Sequence, residues 1–468
     1  MPWRNLTRRG VSLFSLTFAI FCVWTLASRI DALSSVAEGQ ATLAATPPMG
    51  WNSWDSYGET VTEADIRANA AWMAEHLKSY GWEYVVVDEG WYVTNQSSRS
   101  DTVPAQFRLD AYGRYTPAAN TIPSAEHDAG LKPLADYIHS LGLKFGIHIL
   151  RGIPKEAVFR NLPIAGTSLH ARDAADLSDT CPWNTYNYGL KAGTPAAQAY
   201  YDSIAKLYAE WGVDFLKVDC ISSHPYKGDE IRMISEALRK VHHPIVLSLS
   251  PGPAPLDKAI ELSRYAQMWR ITDDVWDVWH GDKDFPQGIE NQFARAAKWA
   301  AFSGPGHWPD ADMLPIGRLE PNPGWEKPRT TRLSHDEQRT MLTLWSIFRS
   351  PLMMGGNLTL SDEWTQSALT NAELIGVDQH STGNHAVIST EKAAVWIATP
   401  ESGDGAYVAV FNLDGAAQSF HYSWKDLGLK RASYKLRDLW EHQDLGSKGS
   451  VDITLPAHGT ALYWASTK

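Results

Sequence analysis

Two hydrophobic rhythms take turns along most of this chain. Short apolar runs with strand-like alternation occur at TPPMGWNSW, Tyr84 to Val87, Lys144 to Ile149, Val213 to Cys220, Ile245 to Ser250, Ala266 to Thr272, GPGHWPDADML and SPLMMGG. Between them lie stretches in which apolar residues recur every three to four positions, the mark of amphipathic helices. These helical patterns span about residues 62–80, 131–141, 195–211, 230–239, 256–263, 292–302 and 336–348. Thr62 with Asp65 three residues on reads as a capping box in which aspartate replaces glutamate. Strand and helix alternate about eight times, which predicts a parallel sheet with right-handed crossovers. Eight such units over residues 45–371 predict a (β/α)₈ barrel. A doubly wound sheet fits less well, because no glycine-rich loop follows the first strand and polar residues cluster at nearly every strand end.

The pattern changes from residue 372 onward. AVWIAT, AYVAVFNL, SFHYSW, YKLRDLW, VDITL and TALYWA are short alternating runs separated by Gly, Asp and Ser. They predict an antiparallel β-sandwich over residues 372–468, and its lack of a cluster of titratable groups assigns it an accessory role. Residues 1–44 differ from both regions. Arg4, Arg8 and Arg9 precede an apolar run from Val11 to Ala27 and then a stretch of small residues, which reads as a secretory signal and spacer. The alternative is an uncleaved membrane anchor, since the run approaches the length that spans a bilayer. With cleavage, the expectation is a secreted or periplasmic protein without stable membrane association.

Composition narrows the partners. The formal net charge is −11, and no basic run lies outside the N-terminus, so nucleic acid is excluded as an expected partner. There are 21 tryptophans, whose faces stack on sugars but also fill cores. Of three cysteines, Cys22 lies in the signal, which leaves Cys181 and Cys220 as a candidate disulfide in an exported protein. The other reading is two separate buried thiols. Oligomeric state leaves no trace in the sequence.

The chemistry concentrates at the predicted strand ends. Asp88, Glu89, Asp219, Asp273, Asp274, Asp310 and Asp312 all stand there, where barrel active sites sit. Two carboxylates flanking a glycosidic bond suffice to hydrolyse it without metal or cofactor. Asp219 is the best placed, because Lys217, two residues earlier, shares its face of the strand and can hold it ionised. His148 with neighbouring aspartates could build a metal site, but no HExxH, no His-x-His on the first strand and no zinc-type Cys/His spacing occurs. No G-x-S-x-G elbow appears either. The reading therefore implies no metal and no organic cofactor.

At this point the motifs resemble a known family. TPPMGWNSW, YVVVDEGW, FLKVDC, WRITDDVWD, GPGHWPDADML, DEQRTMLTLWSIFRSPLMMGGNL and NAELIGVDQ are similar, in order, to glycoside hydrolase family 27, the melibiase-like α-galactosidase family. The resemblance covers nearly the whole chain after the signal. It implies a retaining α-glycosidase on a barrel followed by a β-sandwich. It also implies that Asp219 is the nucleophile and Asp274 the acid/base, with Asp273 beside it as the site's main ambiguity. By the same matching, Trp51, Asp88, Glu89, Lys217 and Arg270 contact the sugar. Cys220 matches a disulfide cysteine of the family, whereas Cys181 sits elsewhere in its loop.

Departures from the family pattern bear on the substrate. Glu89 stands where α-galactosidases carry Asp, and the extra methylene extends the carboxylate by about 1.5 Å toward the C6 group of galactose. HILRGIPKEAV and LSLSPGP replace the family's usual segments after the third and fifth strands. The expectation is an exo-glycosidase acting on terminal α-D-galactosides by double displacement through a covalent glycosyl-enzyme. Alternatives are a β-L-arabinopyranosidase, whose sugar has galactose's ring pattern without C6, or another α-glycosidase of the family, including one on α-1,6-glucan. The alternative outside catalysis is a protein that binds sugar without turnover.

Overall fold

The computed structural model describes residues 42–96, 103–282, 285–319 and 327–467. The apolar run predicted as a signal, and Cys22 within it, lie outside the described residues. Among the described residues, no helix is long and apolar enough to cross a membrane.

Eight parallel strands form the first layer: β1 (Met49–Asn52), β2 (Tyr84–Val87), β3 (Lys144–Leu150), β4 (Phe215–Asp219), β5 (Val246–Leu249), β6 (Met268–Arg270), β7 (Trp308–Asp310) and β8 (Leu352–Met354). Each pairs with its neighbour in sequence, and β8 returns to pair with β1, which gives the order β7-β6-β5-β4-β3-β2-β1-β8. The seam between β7 and β8 is narrow. Leu314 bridges to Met354 there, and its N–H donates to the Met353 carbonyl at 2.8 Å. The helices α1 (Glu63–His76), α2 (Lys132–Ser140), α3 (Pro195–Trp211), α4 (Gly228–Lys240), α5 (Ala259–Tyr265), α6 (Ile289–Trp299), α7 (His335–Phe348) and α8 (Ala372–Gln379) alternate with the strands or follow them. The barrel read from the sequence is thus the observed fold. Thr62 caps α1 as expected: its Oγ1 accepts from the Asp65 N–H at 3.3 Å, and its N–H donates to Asp65 Oδ2 at 3.0 Å.

Strand parity sorts the barrel into two environments. Val85, Val87, Phe145, Ile147, Leu216, Val218, Leu247, Leu249 and Trp269 point outward and join the helices in one buried core. Inward, Tyr84, Val86, Phe215, Val246, Met268, Trp308 and Met353 form a separate apolar cluster. One step further toward the strands' C-terminal ends, the inward positions turn polar and the site begins. Two glycines let the inner cluster close. A Cβ on Gly50 would lie 2.2 Å from the Tyr84 carbonyl oxygen, and one on Gly146 would lie 2.9 Å from Val86 Cγ2 and 3.0 Å from Phe215 Cβ.

The loop after β3 holds its own architecture. Ile153–Pro154, Asn187–Leu190 and Ala175–Thr180 form a three-stranded antiparallel sheet. Buried Arg151 anchors it: its guanidinium donates to Asp179 at 2.8 and 2.9 Å and to Glu230 of α4 at 2.8 Å, and its Nε donates to the Cys220 carbonyl at 2.6 Å. This ties the loop to the end of β4.

The C-terminal region is antiparallel. It comprises β9 (Ser381–Ser389), β10 (Ala393–Pro400), β11 (Ala406–Asn412), β12 (Gln418–Ser423), β13 (Tyr434–Asp438), β14 (Gln443–Lys448), β15 (Ser450–Leu455) and β16 (Thr460–Ser466). Six form a sheet ordered β9-β10-β11-β16-β13-β14, and β12 pairs with β15. One face of the larger sheet buries Val395, Val408, Val410 and Tyr463 within the sandwich. The other face contributes Trp396, Ala409, Phe411 and Leu462 to the barrel's outer core, with Phe411 packed on Phe293 of α6 at 5.0 Å. The sequence reading missed β9 and β14. Both are edge strands of the larger sheet with largely exposed residues, so neither shows the alternation that burial on one face imposes.

Gly146→Ala tests the inner packing. The clash with Val86 and Phe215 should exceed the entropic benefit of alanine and cost about 1–3 kcal/mol, read as a lower urea midpoint at unchanged slope. An unchanged or raised midpoint would show that the interior has room the geometry denies.

Candidate active site

At the C-terminal ends of the strands a cavity of about 580 Å³ opens to solvent. Asp88 and Glu89 reach it from the end of β2, His148 from β3, Lys217 and Asp219 from β4, and Arg270, Asp273 and Asp274 from β6 and the turn after it. Register explains the convergence: His148 pairs with Lys217 across β3–β4 and Leu150 with Asp219, so equivalent inward positions stand side by side. Trp54, Trp183 and Trp276 supply aromatic walls.

Trp51 is the exception among the residues the resemblance assigned to sugar contact. Its ring is fully buried, its Nε1 donates to the Gly356 carbonyl at 3.0 Å, and it does not line the cavity. Parity is the reason: Trp51 pairs with outward-facing Val85, while Gly50 and Asn52 face in. The tryptophan of this motif that reaches the cavity is Trp54.

The charge of Lys217 acts on Asp219 as the strand pattern suggested, but its hydrogen bond goes elsewhere. Its Nζ donates to Asp88 Oδ2 at 2.7 Å rather than to Asp219. Asn52 Nδ2 donates to the same oxygen at 2.7 Å, and the Glu89 N–H donates to Asp88 Oδ1 at 2.8 Å. Burial alone would raise the pKa of Asp88, but Lys217, His148 and these hydrogen bonds hold it well below the usual carboxylate range. Lys217 is correspondingly held charged. Asp219 is served from elsewhere. The Cys220 N–H donates to its Oδ1 at 2.7 Å, and His148 Nε2 stands 3.6 Å from Oδ2, at ion-pair rather than hydrogen-bond range. Against the effect of burial, His148, Lys217 and the Cys220 N–H keep Asp219 below its ordinary value. His148 shifts upward in turn: burial opposes its charge, but Asp88 and Asp219 outweigh it.

Glu89 behaves oppositely. Burial, with Asp219 and Asp88 beside it, pushes its carboxyl up to about 7. Its Oε1 accepts a short hydrogen bond from Asn184 Nδ2, and Tyr92 Oη lies 3.5 Å from the same oxygen. Asn184 belongs to the loop whose Pro182 and Trp183 line the cavity. That loop is joined to the end of β4 by a disulfide between Cys181 and Cys220, with Cα atoms 6.0 Å apart. The cysteine pair read from the sequence is therefore bonded, and the bridge sits one residue beyond Asp219.

On the opposite wall, Arg270 Nη2 donates to Asp274 Oδ1 at 3.0 Å and forms an ion pair with Asp312, 2.7 Å from its Oδ2. The Asp274 side chain is 47% exposed, facing the open mouth, whereas Arg270 and Asp312 are buried. Asp273, the alternative acid, turns toward His224, with Nε2 3.3 Å from its Oδ2. The sequence reading placed Asp312 among seven strand-end acids and gave it no role. His148 was read as a hydrogen-bonding residue of a strand end rather than a metal ligand, without a named partner. Its register beside Lys217 is the signal that could have linked it to Asp219. Among the described residues, no cluster of three or more His, Cys, Asp or Glu side chains is arranged to hold a metal ion.

The disulfide gives a direct chemical test. Denatured protein beginning after residue 44 should show no titratable thiol before reduction and two after it. Two thiols without reductant would refute the bridge.

Comparisons with known proteins agree with this geometry. Residues 184–380 match the family model for alpha galactosidase A, and residues 390–465 match that for the alpha galactosidase C-terminal beta sandwich domain. An alpha-galactosidase from Coffea arabica is 30% identical over 427 residues, covering 90% of this chain and 94% of that protein. The crystal structure of a GH27 β-L-arabinopyranosidase from Geobacillus stearothermophilus superposes with a TM-score of 0.86 at 48% identity, covering 91% of this chain and 97% of that one. A structure from Bacillus halodurans gives 0.79 at 43% identity, covering 91% and 98%. The chain accordingly belongs to the melibiase-like glycoside hydrolase family 27, and it is a glycoside hydrolase.

Proposed function

We propose that the protein is a retaining exo-glycosidase for terminal pyranosides with the galactose ring pattern, and that it prefers β-L-arabinopyranosides. The observation that carries the preference is Glu89. It is a carboxyl one methylene longer than aspartate, held by Asn184 at the wall of the cavity beside Asp88. The added length narrows the room for a C6 hydroxymethyl, which an arabinopyranose lacks. The 48% identity to the Geobacillus stearothermophilus arabinopyranosidase supports the same choice. The second reading, a terminal α-D-galactoside, is the one the sequence put first. The curated relatives named alpha-galactosidase favour it.

In this reading Asp219, kept ionised by His148, Lys217 and the Cys220 N–H, attacks the anomeric carbon. The glycosidic C–O bond breaks, and the proton of Asp274 passes to the leaving oxygen. Water then gives a proton back to Asp274 as its oxygen displaces Asp219 from the sugar, with net retention. Asp88 and Lys217 bind sugar hydroxyls from one wall and Arg270 orients Asp274 from the other. Residues 45–371 are proposed as the catalytic unit and residues 372–468 as its packed accessory. The Cys181–Cys220 bridge supports an exported enzyme.

Paired aryl glycosides decide between the substrates. kcat/KM on the β-L-arabinopyranoside should exceed that on the α-D-galactopyranoside, and Glu89→Asp should raise the galactoside's relative rate about tenfold or more, the scale on which one methylene discriminates. A galactoside preference in the unaltered enzyme would overturn the arabinoside reading and leave the second one standing. Asp219→Asn should nearly abolish turnover of both sugars with the fold intact by circular dichroism. Asp274→Asn should slow substrates with poor leaving groups by about 10²–10⁴-fold and activated aryl glycosides much less. Wild-type rates for Asp219→Asn, or equal losses across leaving groups for Asp274→Asn, would remove the respective assignment.

A further inference from the structure

Asp312 lies at the end of β7 without a step of its own in the reaction, yet it is among the most constrained residues of the site. It is 2% exposed, and its backbone sits at φ 84°, in the left-handed region that a non-glycine residue occupies only when its surroundings require it. Its N–H donates to Asp310 Oδ1 at 2.9 Å, and its carbonyl accepts from Trp345 Nε1 of α7 at 2.8 Å. Both ends of its peptide are thus held from β7 and α7, which fixes where the carboxylate points.

That carboxylate meets two partners through one oxygen. Asp312 Oδ2 accepts from the Val275 N–H at 2.7 Å and forms an ion pair with Arg270, 2.7 Å from its Nη2. Val275 is the residue after Asp274, and the same Arg270 Nη2 donates to Asp274 Oδ1 at 3.0 Å. Asp312 therefore grips the backbone just beyond the acid and also the guanidinium that holds the acid's carboxylate.

We propose that Asp312 is the positioning residue for Asp274: it fixes the turn that carries the acid, and its negative charge offsets Arg270, so that the guanidinium does not hold Asp274 permanently ionised. The inference rests on the reading of Asp274 as the acid/base. An acid beside an unopposed arginine would shed its proton early, because an opposite charge within hydrogen-bond range favours the ionised form. A second carboxylate on the same nitrogen divides that effect. The other charged groups facing Asp312 and its pair are Asp55 from the short helix after β1, Lys217 on β4, Asp273 in the turn after β6 and Asp310 on β7. Burial raises Asp312, pushing it up to about 7, Arg270 works against this, and Asp274 and Asp310 add to the rise.

Asp312→Asn is the informative variant. Asparagine tolerates the left-handed backbone as aspartate does and retains an oxygen for the Val275 N–H, so the main change is the lost charge. The alkaline limb of the kcat/KM profile should move to lower pH by about one unit. Loss should be about tenfold greater on a substrate with a poor leaving group than on an activated aryl glycoside, since only the former needs the proton. A limb that stays in place, or equal loss on both substrates, would overturn the charge role and leave Asp312 as packing. If Asp312→Asn does not fold, Asp312→Ala assayed with and without formate replaces it. Formate that moves the limb back up supports the inference, and a limb indifferent to formate refutes it. Failure of the underlying reading looks different: it appears in Asp274→Asn as equal loss across leaving groups, whatever Asp312→Asn does.

Discussion

The pair of Lys217 and Asp88 is the interaction on which the site depends. Its 2.7 Å contact joins β4 to β2 across the barrel, with β3 between them. Each charge alone would be costly to bury, by several kcal/mol, and removing one partner of such a pair typically costs about 3–5 kcal/mol. Here Asn52 shares Oδ2 of Asp88 with Lys217 and the Glu89 N–H donates to Oδ1, so both carboxylate oxygens have partners. A satisfied, ionised Asp88 has consequences around it. It favours a protonated His148, which in turn faces Asp219, and together with Asp219 it drives the neighbouring Glu89 toward its neutral form. Adjacent residues in sequence thus shift in opposite directions: on Asp88 the bonded Lys217 and His148 outweigh burial, whereas on Glu89 burial with Asp219 and Asp88 outweighs His148 and Lys217.

The cavity has a second pole with the reverse balance. Arg270 faces Asp274, Asp310 and Asp312, so one guanidinium serves several acids where Lys217 and His148 serve Asp88 and Asp219. The wall of Asp88 and Asp219 keeps its carboxylates low, whereas on the opposite wall burial pushes Asp312 up. The retaining mechanism proposed above would use such a difference between its two sides. Both poles stand on the same apolar floor of Tyr84, Phe215, Val246, Met268 and Trp308, which excludes water from below. The loop after β3, fastened by Arg151 and by the Cys181–Cys220 bridge, adds Trp183 and Asn184 as a side wall.

The sequence by itself determined the strand–helix alternation, the change of texture near residue 372, the strand-end acids and the alignment of Lys217 with Asp219 on one face. These follow from periodicity, and periodicity is a local property of the chain. It failed where burial gives no one-sided pattern, as in the edge strands β9 and β14. Only the tertiary structure decided the partnerships. Lys217 bonds Asp88, 129 positions away, rather than its near neighbour, and Asn184 holds Glu89 from 95 positions away. Arg270 couples Asp274 to Asp312 across the gap between β6 and β7. Which charge meets which depends on strand register and on loops that fold back over the barrel. Those are set by long-range packing, and no spacing within a single segment encodes them.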